Sequence, residues 1–311
     1  MSALAYEVVC DTDDEREWLA ARNQGVGASE IGGVLGVPSI SSRLSPLKLY
    51  CQKLGKLPPD DLSEVEAIDW GHTMEPVIAA KYAQRTGRPI VTGRQHRYQV
   101  LRSKEHPWAL CSLDYWTADS DGAPLHPLEI KNVNAYLAED WLDGTPEYFY
   151  AQLQQQMLVT DKERATSACC LGGNRLLWCD VERDETLIRK IIYHGERFWE
   201  RVRTGQMPDP DESQATREVL HKLFAVDDGS SVELPAALLD NVAAWRAAKV
   251  QAKALETEIT RHENAIKATL GSAQLGHFAT GDVISWKTQN VREHVVKAGT
   301  KRPLLYHPSK D

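Results

Sequence analysis

Ser112-Leu113-Asp114-Tyr115-Trp116-Thr117, Asp119-Ser120-Asp121-Gly122, and Leu125-His126-Pro127-Leu128-Glu129-Ile130-Lys131-Asn132 follow one another with almost no interruption. Two β-favouring runs, over 108–117 and 125–132, flank four strong turn formers, which predicts an antiparallel hairpin. Asp114 and Glu129 are equidistant from the turn, so a regular hairpin sets them face to face with Cβ atoms about 4.5–5.5 Å apart. Lys131, two residues on, shares the face of Glu129. Two carboxylates so close repel each other unless a cation lies between them, and a hard divalent ion with oxygen ligands suits that place. An ammonium beside them can orient a water or stabilise charge developing on phosphate. The set supports metal-assisted phosphodiester hydrolysis. A solvated cross-strand ion-pair cluster uses the same residues, and the hairpin alone does not choose between the two readings.

Around the hairpin, residues 15–36 read as two short helices separated by a turn with Gly25 and Gly27, the second opened by Ser29. Residues 44–54 form a helical stretch with Pro46 in its first turn, and 66–86 a longer helix stopped by Gly87. A helix opened by Thr145 and Pro146 runs to about Thr160; Gln154, Gln155 and Gln156 on it are expected to include solvent-facing residues. A strand pair over 165–182 and an amphipathic helix over 185–204 follow. Residues 205–216, with Pro208 and Pro210, read as a linker. Beyond it Leu238, Val242, Trp245, Ala252, Ile259, Ile266 and Leu270 trace an approximate heptad, interrupted by Lys249, Glu256 and Glu263. This predicts a long helix ending at Gly271, then a hairpin around Gly281 and a basic tail.

Composition narrows the function classes. The 311 residues are 42% hydrophobic and 26% charged, which excludes wholesale disorder. No apolar run reaches the roughly 18 residues a membrane helix needs, and the acidic N-terminus does not read as an export signal, so a cytoplasmic protein is expected. Six cysteines without a C-x-x-C pair argue against a zinc ribbon or an iron–sulfur site and suit free thiols. No G-x-x-x-x-G-K-[ST] loop calls for ATP, and His72 is left out as a ligand because magnesium prefers oxygen. The net charge of −8 does not advertise nucleic-acid binding, yet residues 240–311 hold 11 Lys/Arg against 7 Asp/Glu.

Asp114 after Cys111-Ser112-Leu113, then Leu128-Glu129-Ile130-Lys131, then a helix with Gln152 resemble the PD-(D/E)xK nuclease core. More narrowly, the chain is similar to the phage lambda exonuclease / YqaJ viral recombinase family. Trp18 and Arg22, Gly27-Ala28-Ser29-Glu30 and Trp70-Gly71-x-x-x-Glu75 stand upstream in the family's order. Tyr150-Ala151-Gln152, Met157 and Glu182-Arg183-Asp184-Glu185 follow downstream. The resemblance spans roughly residues 15–205. It implies an α/β restriction-endonuclease-like core, a mixed central sheet flanked by helices, over 1–205, with a helical C-terminal extension over 206–311.

The resemblance also implies the roles. Asp114, Glu129 and the carbonyl of Ile130 are expected as magnesium ligands, with Glu75 as a further acidic residue at the metal. Two ions are expected, with manganese able to substitute. Lys131 positions the water nucleophile, and Gln152 supports it. Arg22 and Ser29 hold a terminal 5′-phosphate, helped by the free amides of a helix N-terminus, and Trp18 stacks on a base near the DNA end. The expected activity is 5′→3′ degradation of linear double-stranded DNA, leaving 3′ overhangs for a single-strand annealing partner in phage-type recombination within a bacterial cell. A homo-oligomer, a trimeric ring, is implied as well. A structure-specific endonuclease or resolvase on the same core, and a non-catalytic DNA-end-binding scaffold, are the alternatives.

Overall fold

The computed structural model describes residues 4–60, 64–290 and 304. Its strands are β1 (Tyr6–Thr12), β2 (Val26–Gly27), β3 (Ile90–Val91), β4 (Tyr98–Ser103), β5 (Ala109–Cys111), β6 (Tyr115–Ala118), β7 (Pro124–Val133), β8 (Arg164–Leu171), β9 (Arg175–Glu182), β10 (Leu275–His277) and β11 (Val283–Ser285). Its helices are α1 (Glu15–Arg22), α2 (Ile31–Val34), α3 (Pro46–Lys53), α4 (Glu66–Thr86), α5 (Glu147–Thr160), α6 (Glu185–Thr204), α7 (Gln214–Leu223) and α8 (Leu238–Leu270). The chain divides into two compact units, Met1–Leu223 and Phe224–Asp311.

In the first unit the strands form two mixed sheets, ordered β1-β4-β5-β2 and β3-β6-β7-β8-β9. The expected single run over 108–117 is cut in two. β5 belongs to the first sheet and β6 to the second, with Ser112, Leu113 and Asp114 between them. The break has local causes: Leu113 is buried, and Ser112 Oγ donates to the carbonyl of Gln99 at 2.6 Å, tying this segment to β4 rather than to a neighbouring ladder. Asp114 therefore stands where the chain crosses from one sheet to the other.

The β6–β7 hairpin has the register expected from its turn. Tyr115 pairs Leu128, Trp116 pairs Pro127 and Thr117 pairs His126, with a bulge at Ala118. Asp119 Oδ1 accepts from the amides of Asp121 and Ala123, and Gly122 takes a φ of +82°. β7 then runs parallel to β8, joined by the crossover helix α5.

Helix ends agree with the chemistry of their caps. α4 stops at Gly87 and α6 at Gly205, both left-handed. At the start of α5, Pro146 is the cap residue and makes no side-chain cap bond; the Thr145 hydroxyl is instead shared with Ser167 Oγ at 2.6 Å. The proline-containing segment leads into a helix, α7, which was not expected. α7 seats Ala215, Thr216 and Val219 in the interior, with Thr216 Oγ1 donating to Ser45 Oγ at 2.9 Å, so the first unit extends to Leu223.

In the second unit α8 spans the expected 238–270, and β10 pairs β11 around Gly281. The basic tail beyond Asn290 lies outside the described residues apart from Leu304. No described helix is long and apolar enough to cross a membrane.

The core places Gly195, in the middle of α6, directly under Trp108. A Cβ there would lie 2.1 Å from the indole Cη2. Gly→Ala in an exposed helix stabilises by about 1 kcal/mol, but overpacking costs about 1–3 kcal/mol. Gly195→Ala is therefore expected to lower the thermal unfolding midpoint, and a midpoint at or above wild type would show that this packing is wrong.

Candidate active site

Glu129 is the most constrained residue of the β7 face. It is 4% exposed, yet both its oxygens are engaged. Gln152 Nε2 donates to Oε1 at 2.6 Å, Gln156 Nε2 donates to Oε2 at 2.6 Å, and the Lys131 ammonium contacts Oε1. A buried carboxylate left unpaired is costly, and charge-assisted donors offset that cost. The two glutamines stand one helical turn apart on α5, a spacing that aims both at one point.

Asp114 faces this group across the hairpin. Its Oδ2 accepts from the backbone amide of Ile130 at 2.8 Å, continuing the register of the ladder. Burial, then the charges of Glu129 and Glu75, push its carboxyl well above the ordinary aspartate range, against the opposing pull of Lys131 and the Ile130 amide. Burial works to lower the Lys131 ammonium, but Glu129 and Asp114 outweigh it and hold it above its usual value. Lys131 Nζ also lies over the Phe149 ring, 5.0 Å from its centroid.

Glu75 approaches from α4, in the position before a mid-helix proline, Pro76. Its Oε1 accepts from Arg94 Nη2 at 3.2 Å, and Arg94 Nη1 donates to the carbonyl of Leu113 at 3.4 Å. Among the described residues, no group of three or more His, Cys, Asp or Glu is set to hold a metal. Glu75 thus stands beside the Asp114–Glu129 pair without completing it. Two carboxylates whose mutual repulsion Lys131 offsets only in part, next to a backbone carbonyl, still match what a largely hydrated magnesium needs.

The second expected cluster is also assembled. Arg22 Nη2 donates to Ser29 Oγ at 3.2 Å and lies 3.5 Å from Glu30 Oε1. Lys53, its side chain 1% exposed, bonds Glu30 and the carbonyl of Arg22. Ser29 does not head a long helix, since α2 is a single turn, and the Gly27 amide donates to Glu30 Oε2 at 2.7 Å. The free amides expected there are partly spent within the chain. Gly25 admits the Trp108 carbonyl, which a Cβ would approach to 2.4 Å, so its close approach serves the fold. Trp18 stacks on Tyr98 at 4.8 Å, and Arg22 lies over its ring at 4.8 Å; the half-buried indole is already engaged within the chain.

The sequence reading missed the glutamine row. Gln154, Gln155 and Gln156 are all fully buried and none faces solvent. Gln155 Nε2 donates to the carbonyls of Val26 and Leu110, at 2.7 and 2.9 Å, so α5 joins the Glu129 cluster to the strand leading into Ser29. Gln154 bonds the carbonyl of Glu182 and the amide of Asp184, at the start of α6. The i, i+4 relation of Gln152 and Gln156 was the available signal.

An acid at the mouth of one strand, Glu-x-Lys on its neighbour and a glutamine helix behind them are the arrangement that the resemblance to PD-(D/E)xK nucleases implies. Residues 17–163, just under half of the chain, match the model of the YqaJ-like viral recombinase domain. The uncharacterized protein YqaJ of Bacillus subtilis (strain 168) is 29% identical over 276 residues, 87% of this chain and 82% of the relative. That share of the chain cannot be reached without entering the second unit. An alkaline exonuclease of Laribacter hongkongensis is similar in structure, at 23% identity and a TM-score of 0.48, over 61% of this chain and 94% of that one. The same exonuclease in complex with dAMP gives 20% and 0.49, over 67% and 97%.

The raised Asp114 carboxyl has a consequence for stability. A carboxyl whose folded-state value is raised favours folding when protonated, and that contribution is lost as the pH climbs through the raised value. An amide at this position carries no such cost and can still accept from Ile130. Metal-free Asp114→Asn is therefore expected to melt above wild type at about pH 8, with the gap closing toward about pH 4, the ordinary aspartate range. Equal melting points at both pH values would show that Asp114 is not held against its neighbours' charge.

Proposed function

We propose that the chain is a magnesium-dependent exonuclease that degrades linear double-stranded DNA 5′→3′ from a 5′-phosphorylated end. The 3′ overhangs so produced would feed a single-strand annealing partner in recombination. The observation that carries this reading is the clamped Glu129 opposite Asp114, with the Arg22–Ser29 pair tied to the same helix.

Asp114, Glu129 and the carbonyl of Ile130 would hold the cation, which manganese could replace. Bound there, it neutralises the paired carboxylates and supplies an activated water at the phosphate. This donor set suits one partly hydrated ion; a second would draw on Glu75, now engaged by Arg94.

The chain's own residues do the rest. Gln152 and Gln156 keep Glu129 in one rotamer, so its oxygens need no reorganisation when substrate arrives. Lys131 stays protonated beside them, placed to orient the attacking water or meet charge developing on a phosphate oxygen. Arg22 offers two parallel N–H donors and Ser29 a hydroxyl to a terminal phosphate, which selects phosphorylated ends. The already stacked Trp18 serves mainly to hold Arg22. By resemblance, a ring-shaped homotrimer and a bacterial cytoplasmic setting belong to the same proposal.

Linear duplexes bearing 5′-phosphate or 5′-hydroxyl, incubated with magnesium, separate the parts. Asp114→Ala and Lys131→Ala are each expected to lower the rate by on the order of 10²–10³-fold or more. Arg22→Ala should erase the preference for 5′-phosphate while leaving slow degradation. Unchanged degradation by the first two variants would reject the site, and cutting of closed circular DNA would point to an endonuclease.

A further inference from the structure

α8 runs for 33 residues without one buried side chain. Leu255 is 59% exposed and Ile259 58%. A protein rarely leaves such residues in a row on an open helix face unless something covers them. Trp245, Ala252, Ile259 and Ile266 recur every seven residues, and Ala248 and Leu255 fall between them at alternating steps of three and four. This seam is more regular than the one through Val242 and Leu270, and it moves Lys249, Glu256 and Glu263 from the seam to its flank.

We infer that this seam packs against the same seam of a second copy of the chain, with the two helices antiparallel; beside the proposed trimer, such a two-fold contact joins one ring to another. Size and charge both favour that pairing. In the antiparallel arrangement Ala252 meets Leu255 of the partner subunit, and Ala248 meets Ile259 of the partner subunit, small against large in each central layer. A parallel, in-register pair would set Ala252 against Ala252 and Trp245 against Trp245, and would bring Glu258 opposite Glu263, two like charges.

The charges left over within the helix agree. Glu258 pairs with Arg261 and Glu263 with Lys267 in the same helix. Glu256 has no ion-pair partner among the described residues, and Lys249 lies over the Trp245 ring at 4.7 Å. Lys249 and Glu256 flank the seam on the same side, one on each side of its midpoint. An antiparallel partner brings Lys249 opposite Glu256 of the partner subunit, and the symmetry makes that contact twice.

The full-length protein tests this by sedimentation equilibrium. Leu255→Glu with Ile259→Glu is expected to halve the wild-type mass while the far-ultraviolet circular dichroism of the folded chain is retained, because both residues are exposed within the chain. Lys249→Glu and Glu256→Lys, each alone, turn both symmetric pairs into repulsions and should weaken self-association by about tenfold. An equimolar mixture of the two restores opposite charges in the mixed pair and should associate as wild type does. A wild-type chain with the same mass as the Leu255→Glu/Ile259→Glu variant would overturn the pairing. A mixture no tighter than its components would overturn the antiparallel arrangement.

Discussion

A carboxylate held inside the protein by two amides and an ammonium is the interaction on which the rest of the first unit depends. Glu129 sits where a charge is expensive, and it stays there because Gln152, Gln156 and Lys131 meet its oxygens. Replacing any one donor leaves a buried charge short of a partner, which costs more than the missing hydrogen bond itself contributes. The clamp fixes the rotamer of Glu129, and the hairpin register fixes Asp114 opposite it. Together they leave a concentration of negative charge that Lys131 offsets in part and that an added cation would relieve further.

The same helix that supplies the clamp also organises the fold. Gln155 fastens α5 to the carbonyls of Val26 and Leu110 in the first sheet, while Gln152 and Gln156 reach β7 in the second. Gln154 anchors the start of α6. A row of fully buried glutamines is a costly core, and its compensation is specificity. Apolar residues of similar size would fill the space but would not dictate which strand lies beneath which turn. Asp114 stands at the point where the chain leaves one sheet for the other, so both sheets bear on the acid pair.

Much of this was legible in the residues themselves, for identifiable reasons. The hairpin register followed from symmetry about Asp121 and Gly122, and glycines at 87 and 271 marked helix ends because each takes a positive φ that glycine tolerates. Three features were not legible. The cut at Ser112–Asp114 arises from a hydrogen bond to Gln99, a residue brought near only by folding. The glutamine row reads as a solvated face because local polarity does not reveal that two sheets will supply partners. α7 is masked by Pro208, Pro210 and the acidic residues before it, and it is held by packing under α3 rather than by propensity.

Manganese bound to a crystal of the wild-type protein gives the most direct measurement. Anomalous density between Asp114 and Glu129, within coordinating distance of the Ile130 carbonyl and with the Glu129 contacts to Gln152 and Gln156 intact, is the expected result. An ion bound elsewhere, or none at saturating manganese while those two carboxylates keep their positions, would contradict a metal-assisted nuclease built on the clamped glutamate.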